Sequence, residues 1–155
     1  MAISTYTELK TAVANWLDRD DLTDRIPEFI ALAETRMNRV LRLRMMEAKY
    51  TASTVGAQRN YALPTGYLQM RNFQLNTSPI TTLSYVSPEI FDRLWGGSTG
   101  GTPQFYTILA NEIQLGPIPA SVQTMEMLFY KKITALSSTN LTEQMLTDNP
   151  DIYLY

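Results

Sequence analysis

Cysteine and histidine are both absent from this 155-residue chain, and each absence removes chemistry. Without cysteine there is no disulfide framework and no thiolate nucleophile. Without histidine as well, the two commonest transition-metal ligands are gone, so zinc and iron sites are nearly excluded. A serine nucleophile would lack its usual imidazole base. Long apolar runs are missing too: nothing approaches the roughly 18 uninterrupted apolar residues that cross a bilayer. The opening MAISTYTELK has neither the basic flank nor the apolar stretch of a secretory leader. The expectation is a soluble, non-secreted protein with no cofactor and no metal.

Charge of one sign is scarce overall but not locally. Thirteen basic against fifteen acidic residues leave a net charge of −2, which argues against a strongly basic nucleic-acid binder. Yet residues 35–71 hold Arg36, Arg39, Arg42, Arg44, Lys49, Arg59 and Arg71 against Glu47 alone, a net +6, and the remainder is −8. Such polarity suits docking on an acidic partner surface and also tolerates phosphates. A solvated helix face running into an exposed strand gives the same pattern.

What is present is enough for a real core: 45% of the residues are hydrophobic, and one body with one inserted lobe is the expected organisation. Thr5 and Glu8 have the spacing of a capping box, opening a helix whose apolar face is Leu9, Val13, Trp16 and Leu17. Asp20, Asp21, Thr23 and Asp24 are N-cap types, and Pro27 falls in the amide-free first turn of a second helix. That helix is predicted over 24–43, roughly 30 Å long at about 1.5 Å per residue. Ile26, Phe29, Ile30, Ala33, Met37, Val40 and Leu41 form its main stripe. Arg36, Arg39 and Arg42 fall opposite, flanked by a smaller strip of Leu32 and Leu43, which reads either as a contact with another subunit or as a wider internal contact. The two helices are predicted to pair as an antiparallel hairpin, with Trp16 and Phe29 buried between them.

After Arg44 the apolar period changes from 3.6 to 2. Strands are predicted through 46–52, 58–63, 67–75, 80–86, 105–109, 113–115 and 124–132, with a short helix over 88–95 begun by Ser87 and Pro88. The strand 124–132 is apolar on both faces and belongs in the middle of its sheet. GGSTGG, with Gly96, Gly97, Gly100 and Gly101, is expected to be a mobile loop. Asn140 and Glu143 suggest another capping box. Asn149, Pro150, Asp151 and Ile152 begin a further helix, and roughly 20 to 50 residues beyond Tyr155, the rest of that helix and a short tail, are expected to complete it. The fold class is α+β: a helical hairpin over 1–44, an inserted antiparallel β-sandwich or barrel of about seven short strands over 45–136, and a return to the helical layer over 137–155.

Searches for chemistry find little. Asp18, Asp20, Asp21 and Asp24 are dense enough to consider for a cation, but a calcium loop would place glycine and glutamate where Thr23 and Phe29 stand. GGSTGG lacks the lysine of a phosphate-binding loop. Glu47, Glu89, Glu112 and Glu126 are the carboxylates that a glycosidase would have to bring together in space. No catalytic constellation is visible, and no enzyme activity is expected.

The order of landmarks resembles a family, the head-to-tail adaptor (head-completion or connector) proteins of tailed bacteriophages. TYTELKTAVANWL with RIPEFIALAETRMNRVLR, then LPTGYLQMRNF, GTPQFYTILANEIQLGPIP and NPDIYLY carry the likeness, in the family's order and over about half the chain. The resemblance implies a structural virion protein forming a homo-oligomeric ring, usually of twelve copies. Such a ring docks beneath the portal, receives the tail or nozzle protein and lets double-stranded DNA pass through its lumen during packaging and ejection. It implies assembly in the host cytoplasm and a C-terminal helix beyond the present end. The residues expected at partner or subunit interfaces are Leu32, Arg36, Arg39, Arg42, Leu43, Gly96, Gly97, Gly100, Gly101, Asp151 and Tyr155. The alternative reading is a small nucleic-acid-binding module using Arg36, Arg39 and Arg42.

Overall fold

A computed structural model of the chain describes residues 3–19, 21–97 and 100–154. The elements in order are α1 (Tyr6–Leu17), α2 (Ile26–Val40), β1 (Glu47–Ser53), β2 (Asn60–Ala62), β3 (Tyr67–Leu75), β4 (Thr81–Thr82), β5 (Ser84–Tyr85) and α3 (Pro88–Trp95). There follow β6 (Gly100–Gly101), β7 (Phe105–Leu109), β8 (Glu112–Gly116), β9 (Ile118–Pro119), β10 (Thr124–Lys131) and α4 (Gln144–Asp148). The class is α+β. The chain divides into two compact units, Met1–Met46 with Lys132–Tyr155, and Glu47–Lys131.

In the first unit the capping box forms as its spacing requires. Glu8 N–H donates to Thr5 Oγ1 at 3.3 Å, and Thr5 N–H donates to the Glu8 carboxylate at 2.9 Å. The amide of Ser4 donates to the same carboxylate, which together with the hydroxyls of Ser4 and Thr5 holds Glu8 below the usual carboxylate range. The helix stops at Asp18, whose backbone is left-handed at φ 47°. Asp21 and Asp24 do not cap α2, and Asp20 lies outside the described residues. A 3-10 turn (Thr23–Arg25) leads into it, with no side-chain cap, and Pro27 occupies the first turn as expected.

The second helix is shorter than its apolar period suggests, 15 residues, or about 22 Å. Leu41 turns extended at ψ 143°, and Arg42 folds back so that Nη1 donates to the carbonyl of Asn38 at 3.0 Å and to that of Leu41 at 2.6 Å. A cation over the last carbonyls satisfies acceptors that the helix leaves open.

The expected core strip between the helices is only half there. Leu9, Ile26, Ile30 and Met37 are buried, but Trp16 is 65% and Phe29 43% exposed. An open groove of about 460 Å³ lies between Thr7, Lys10, Thr11 and Ala14 of α1 and Thr23, Asp24 and Pro27. The returning chain ties onto α2 as well. Asn38 Oδ1 accepts the amide of Ile133 at 2.8 Å, and the buried Glu34 accepts the amide of Leu136 at 2.9 Å. Burial raises the pKa of Glu34, and the Leu136 hydrogen bond offsets part of that rise.

Two further expectations for this unit fail locally. Asn140 is drawn into a turn, its Nδ2 donating to the Ala135 carbonyl, so Glu143 alone caps α4 by accepting the amide of Met145. Pro150–Tyr153 forms a 3-10 turn, not the start of an α-helix, and Asn149 makes no side-chain cap.

The second unit contains two open four-stranded sheets, ordered β1-β10-β3-β4 and β2-β8-β7-β5, plus the pair β6-β9. Among the described residues no sheet closes into a barrel. The central place of β10 between β1 and β3 follows from its two apolar faces. Inward residues of both larger sheets build one core. Phe73, Leu75, Met127 and Phe129 come from one sheet, and Tyr61, Tyr106, Ile113 and Leu115 from the other. Phe73 meets Tyr106 edge to face, ring centroids 5.2 Å apart.

Not all pairings are antiparallel: β5–β7 and β6–β9 are parallel. The single strand expected over 80–86 breaks at the buried Leu83. Thr81–Thr82 pair with β3 in one sheet, and Ser84–Tyr85 pair with β7 in the other. Gly100 and Gly101, expected in a mobile loop, pair with Ile118 and Pro119; Ser98 and Thr99 lie outside the described residues.

Beside this unit's core α3 packs very closely on β8. A Cβ on Gly116 would stand 2.8 Å from Phe91 Cε2 and 3.0 Å from Trp95 Cδ2. The Arg59 guanidinium lies 5.6 Å over the Phe91 ring and donates to the Trp95 carbonyl, a cation at the negative end of the helix dipole.

Candidate interaction surfaces

Along α2 the apolar residues cover a wider arc than the unit can bury. At about 100° per residue, Leu32, Phe29, Val40, Ala33, Ile26, Met37 and Ile30 sweep roughly 160° of the helix. The buried side takes Ile26, Ile30, Met37 and the carboxylate of Glu34. The neighbouring side leaves Leu32 and Val40 each 66% exposed and Phe29 partly so. Leu32, Ala33, Arg36, Met37, Val40, Leu41 and Ile152 line a recess of about 390 Å³ there.

Arg36 enters this recess from its rim, and Arg39 is exposed one turn further on, close in angle to Leu32. Neither is in an ion pair among the described residues. Of the residues singled out from sequence, the fold therefore brings Leu32, Arg36 and Arg39 together. It separates Arg42 and Leu43 from them, because both lie past the end of α2. Asp151 is exposed in the 3-10 turn, and of that turn Ile152 lines the recess. Gly96 and Gly97 are exposed after α3, and Gly100 and Gly101 form β6. Tyr155 lies outside the described residues.

Phe29, Val40 and Ile152 also lie on this surface, which sequence reasoning missed. The first two belong to the main stripe of α2, and the signal that finds them is the excess width of the apolar arc.

Of the four candidate carboxylates Glu89 lies in the first turn of α3, and the other three do not converge. Glu47 pairs with Arg71, Glu126 with Lys49 at 2.8 Å, and Glu112 accepts from Asn60 at 2.8 Å on the other sheet. Register places Glu47 opposite Tyr130 and Glu126 opposite Thr51, so the first two stand four positions apart, about 13 Å. Asp21 is taken by Arg19, Nε to Oδ1 at 2.9 Å. Among the described residues no group of three or more acidic side chains is arranged to hold a metal, and no helix is long and apolar enough to cross a membrane.

A nucleic-acid face of three arginines is not what the fold presents, since Arg42 is turned onto backbone carbonyls. The unpartnered, half-basic and half-apolar side of α2 is instead the kind of surface that marks a protein contact.

A family model described as SU10 adaptor protein matches residues 4–155. No individual curated protein is matched. The family match spans essentially the whole chain, both units included: the chain belongs to the SU10 adaptor protein family, a family of phage structural adaptors.

Proposed function

We propose that this protein is the adaptor between head and tail of a tailed phage. Copies form a ring, twelve by resemblance, that docks beneath the portal, seats the tail or nozzle protein and leaves a lumen for double-stranded DNA during packaging and ejection. Assembly takes place in the host cytoplasm, and the DNA is passed without sequence reading. The two N-terminal helices act as a hairpin layer in this ring.

The observation that carries the reading is the face of α2 on which Leu32, Val40 and Phe29 remain exposed beside Arg36 and Arg39. An apolar patch rimmed by cations that have no ion pair among the described residues is costly in a monomer and useful in an assembly. The glycine-rich turn with Gly96, Gly97, Gly100 and Gly101 offers a second contact, toward a tail component or an adjacent copy. The test is native mass measurement of the purified protein alone and with the portal. A closed oligomer of fixed copy number bound to the portal is expected. A monomer that leaves the portal unbound at every concentration overturns the proposal.

A further inference from the structure

The helical unit carries a second surface whose character is the reverse of the recess on α2. At the end of α1, Trp16 and Leu17 are 65% and 41% exposed. Asp18 follows with a left-handed backbone, and Asp24 is exposed beyond it. The neighbouring charges cancel in pairs, Arg19 with Asp21 and Arg25 with Glu28. Trp16 and Leu17 thus present apolar surface beside Asp18 and Asp24, which are in no ion pair among the described residues.

The recess offers the complement: about 390 Å³ walled by Leu32 and Val40, with Arg36 at the rim and Arg39 near it. That volume lies within the range of about 300–1,000 Å³ that admits organic groups larger than an indole. An arginine placed over an indole face adds a cation–π attraction to the apolar burial.

The two surfaces are separate. Among the described residues, the recess contains none of α1, and the pocket beside Trp16, lined by Ile3, Glu8, Thr11, Ala12 and Asn15, contains none of α2. The recess begins at Leu32, well along α2, whereas Asp18 and Asp24 belong to the turn that precedes that helix. Two different patches that fit each other make a heterologous contact, which closes a ring when the rotation per step allows.

We propose that the occupant of the α2 recess is a second copy of this chain: the Trp16–Leu17 knob, with Asp18 and Asp24, enters the recess of the neighbour against its Arg36 and Arg39. This rests on the ring reading above and specifies which surfaces make the ring.

Because the chain has no cysteine, the contact can be trapped. Leu17→Cys combined with Val40→Cys gives a ladder of cross-linked species under mild oxidation, whereas each single variant stops at a dimer. Complementation gives an independent readout. A knob variant (Trp16→Ala, Asp18→Lys, Asp24→Lys) and a recess variant (Arg36→Glu, Arg39→Glu) each need at least tenfold more protein to assemble. Mixed in equal amounts they form a one-to-one dimer and nothing larger, since each keeps one working surface. All five substituted side chains are exposed, and unchanged far-ultraviolet circular dichroism verifies that both variants fold. If wild-type protein assembles while the variants assemble equally well and no ladder forms, this contact is wrong and the ring stands. If wild-type protein stays monomeric with the portal present, the ring reading falls and this contact with it.

Discussion

Replacing Gly116 with alanine tests whether α3 is seated as tightly as its geometry implies. The new Cβ would stand 2.8 Å from Phe91 Cε2 and 3.0 Å from Phe91 Cζ and Trp95 Cδ2, against the 3.5–4.0 Å or so at which carbon pairs are comfortable. The ring cannot simply swing away, because Trp95 packs on it at 5.4 Å and Arg59 lies over it. Trp95 is itself stacked on Phe105 at 4.7 Å. Two responses compete. If α3 lifts off, the fully buried Phe91 is exposed, which at roughly 25 cal/mol/Å² over about 150 Å² costs on the order of 4 kcal/mol. If the aromatic stack shifts by a few tenths of an ångström, overpacking costs about 1–3 kcal/mol. The second is smaller, so a destabilisation of about 1–3 kcal/mol is expected.

Denaturant unfolding read by tryptophan fluorescence measures it, in a Trp16→Phe background so that Trp95 alone reports. Adding Phe91→Leu to Gly116→Ala makes room for the new methyl group, so the pair should be less destabilised than the sum of the single changes. A Gly116→Ala cost under about 0.5 kcal/mol, or strict additivity in the pair, refutes the close seat.

Two other substitutions separate buried from exposed surface. Phe29→Ala should cost under about 1.5 kcal/mol in isolated protein, because the ring is 43% exposed, whereas Leu9→Ala at full burial should cost about 2–5 kcal/mol by the same denaturant assay. The buried Glu34 has its pKa raised by desolvation, so the folded state holds this proton more tightly than the unfolded state. The stabilising difference is complete below the ordinary glutamate value near 4.3 and is lost as pH rises through the raised folded-state value. Glu34→Gln keeps an acceptor for the Leu136 amide and cannot ionise. Wild-type minus Glu34→Gln stability should therefore fall with rising pH, and a flat difference from pH 4 to 8 would contradict the account.

Features decided by neighbouring residues were legible in the sequence. Thr5 and Glu8 satisfy each other across three residues, so their pattern implies their geometry, and Pro27 fits only a first turn or a break. The place of β10 was legible for another reason: Met125, Met127 and Phe129 on one face and Leu128 and Tyr130 on the other leave no side suited to water. Features decided by competition were not. The apolar period runs past Val40 into Leu41 and Leu43, and nothing in it reveals that Arg42 ends the helix by taking two carbonyls. The alternation in 80–86 is the same whether the strand stays in one sheet or changes sheets at Leu83. Periodicity also states which residues share a face, not what covers them, and so Trp16 and Phe29 were assigned to a contact that the unit does not make. On α2 the sequence reading set Arg36 opposite the main stripe, whereas Arg36 lines the recess beside Ala33, Met37 and Val40 of that stripe. It hid Phe29 and Val40 by counting them in that main stripe.

The rotation of α2 explains why an apolar face stays in water. Turning the helix about its axis by some 70° would bury Val40 and the exposed part of Phe29, side chains worth about 1.5–3 kcal/mol each when fully buried. The same turn would pull Glu34 from the Leu136 amide and Asn38 from the Ile133 amide, and it would expose Ile30 and Met37. A buried amide left without its acceptor costs about 1–3 kcal/mol, so two lost acceptors and two exposed apolar side chains outweigh two newly buried ones. The polar ties therefore set the rotation, and the rotation turns Leu32, Arg36 and Val40 outward. A carboxylate kept inside while leucine and valine stay outside is a poor arrangement for a solitary unit. It becomes a favourable one once a neighbour covers the outward face, which places the cost of the buried Glu34 in the folding of the monomer and the return on it in assembly.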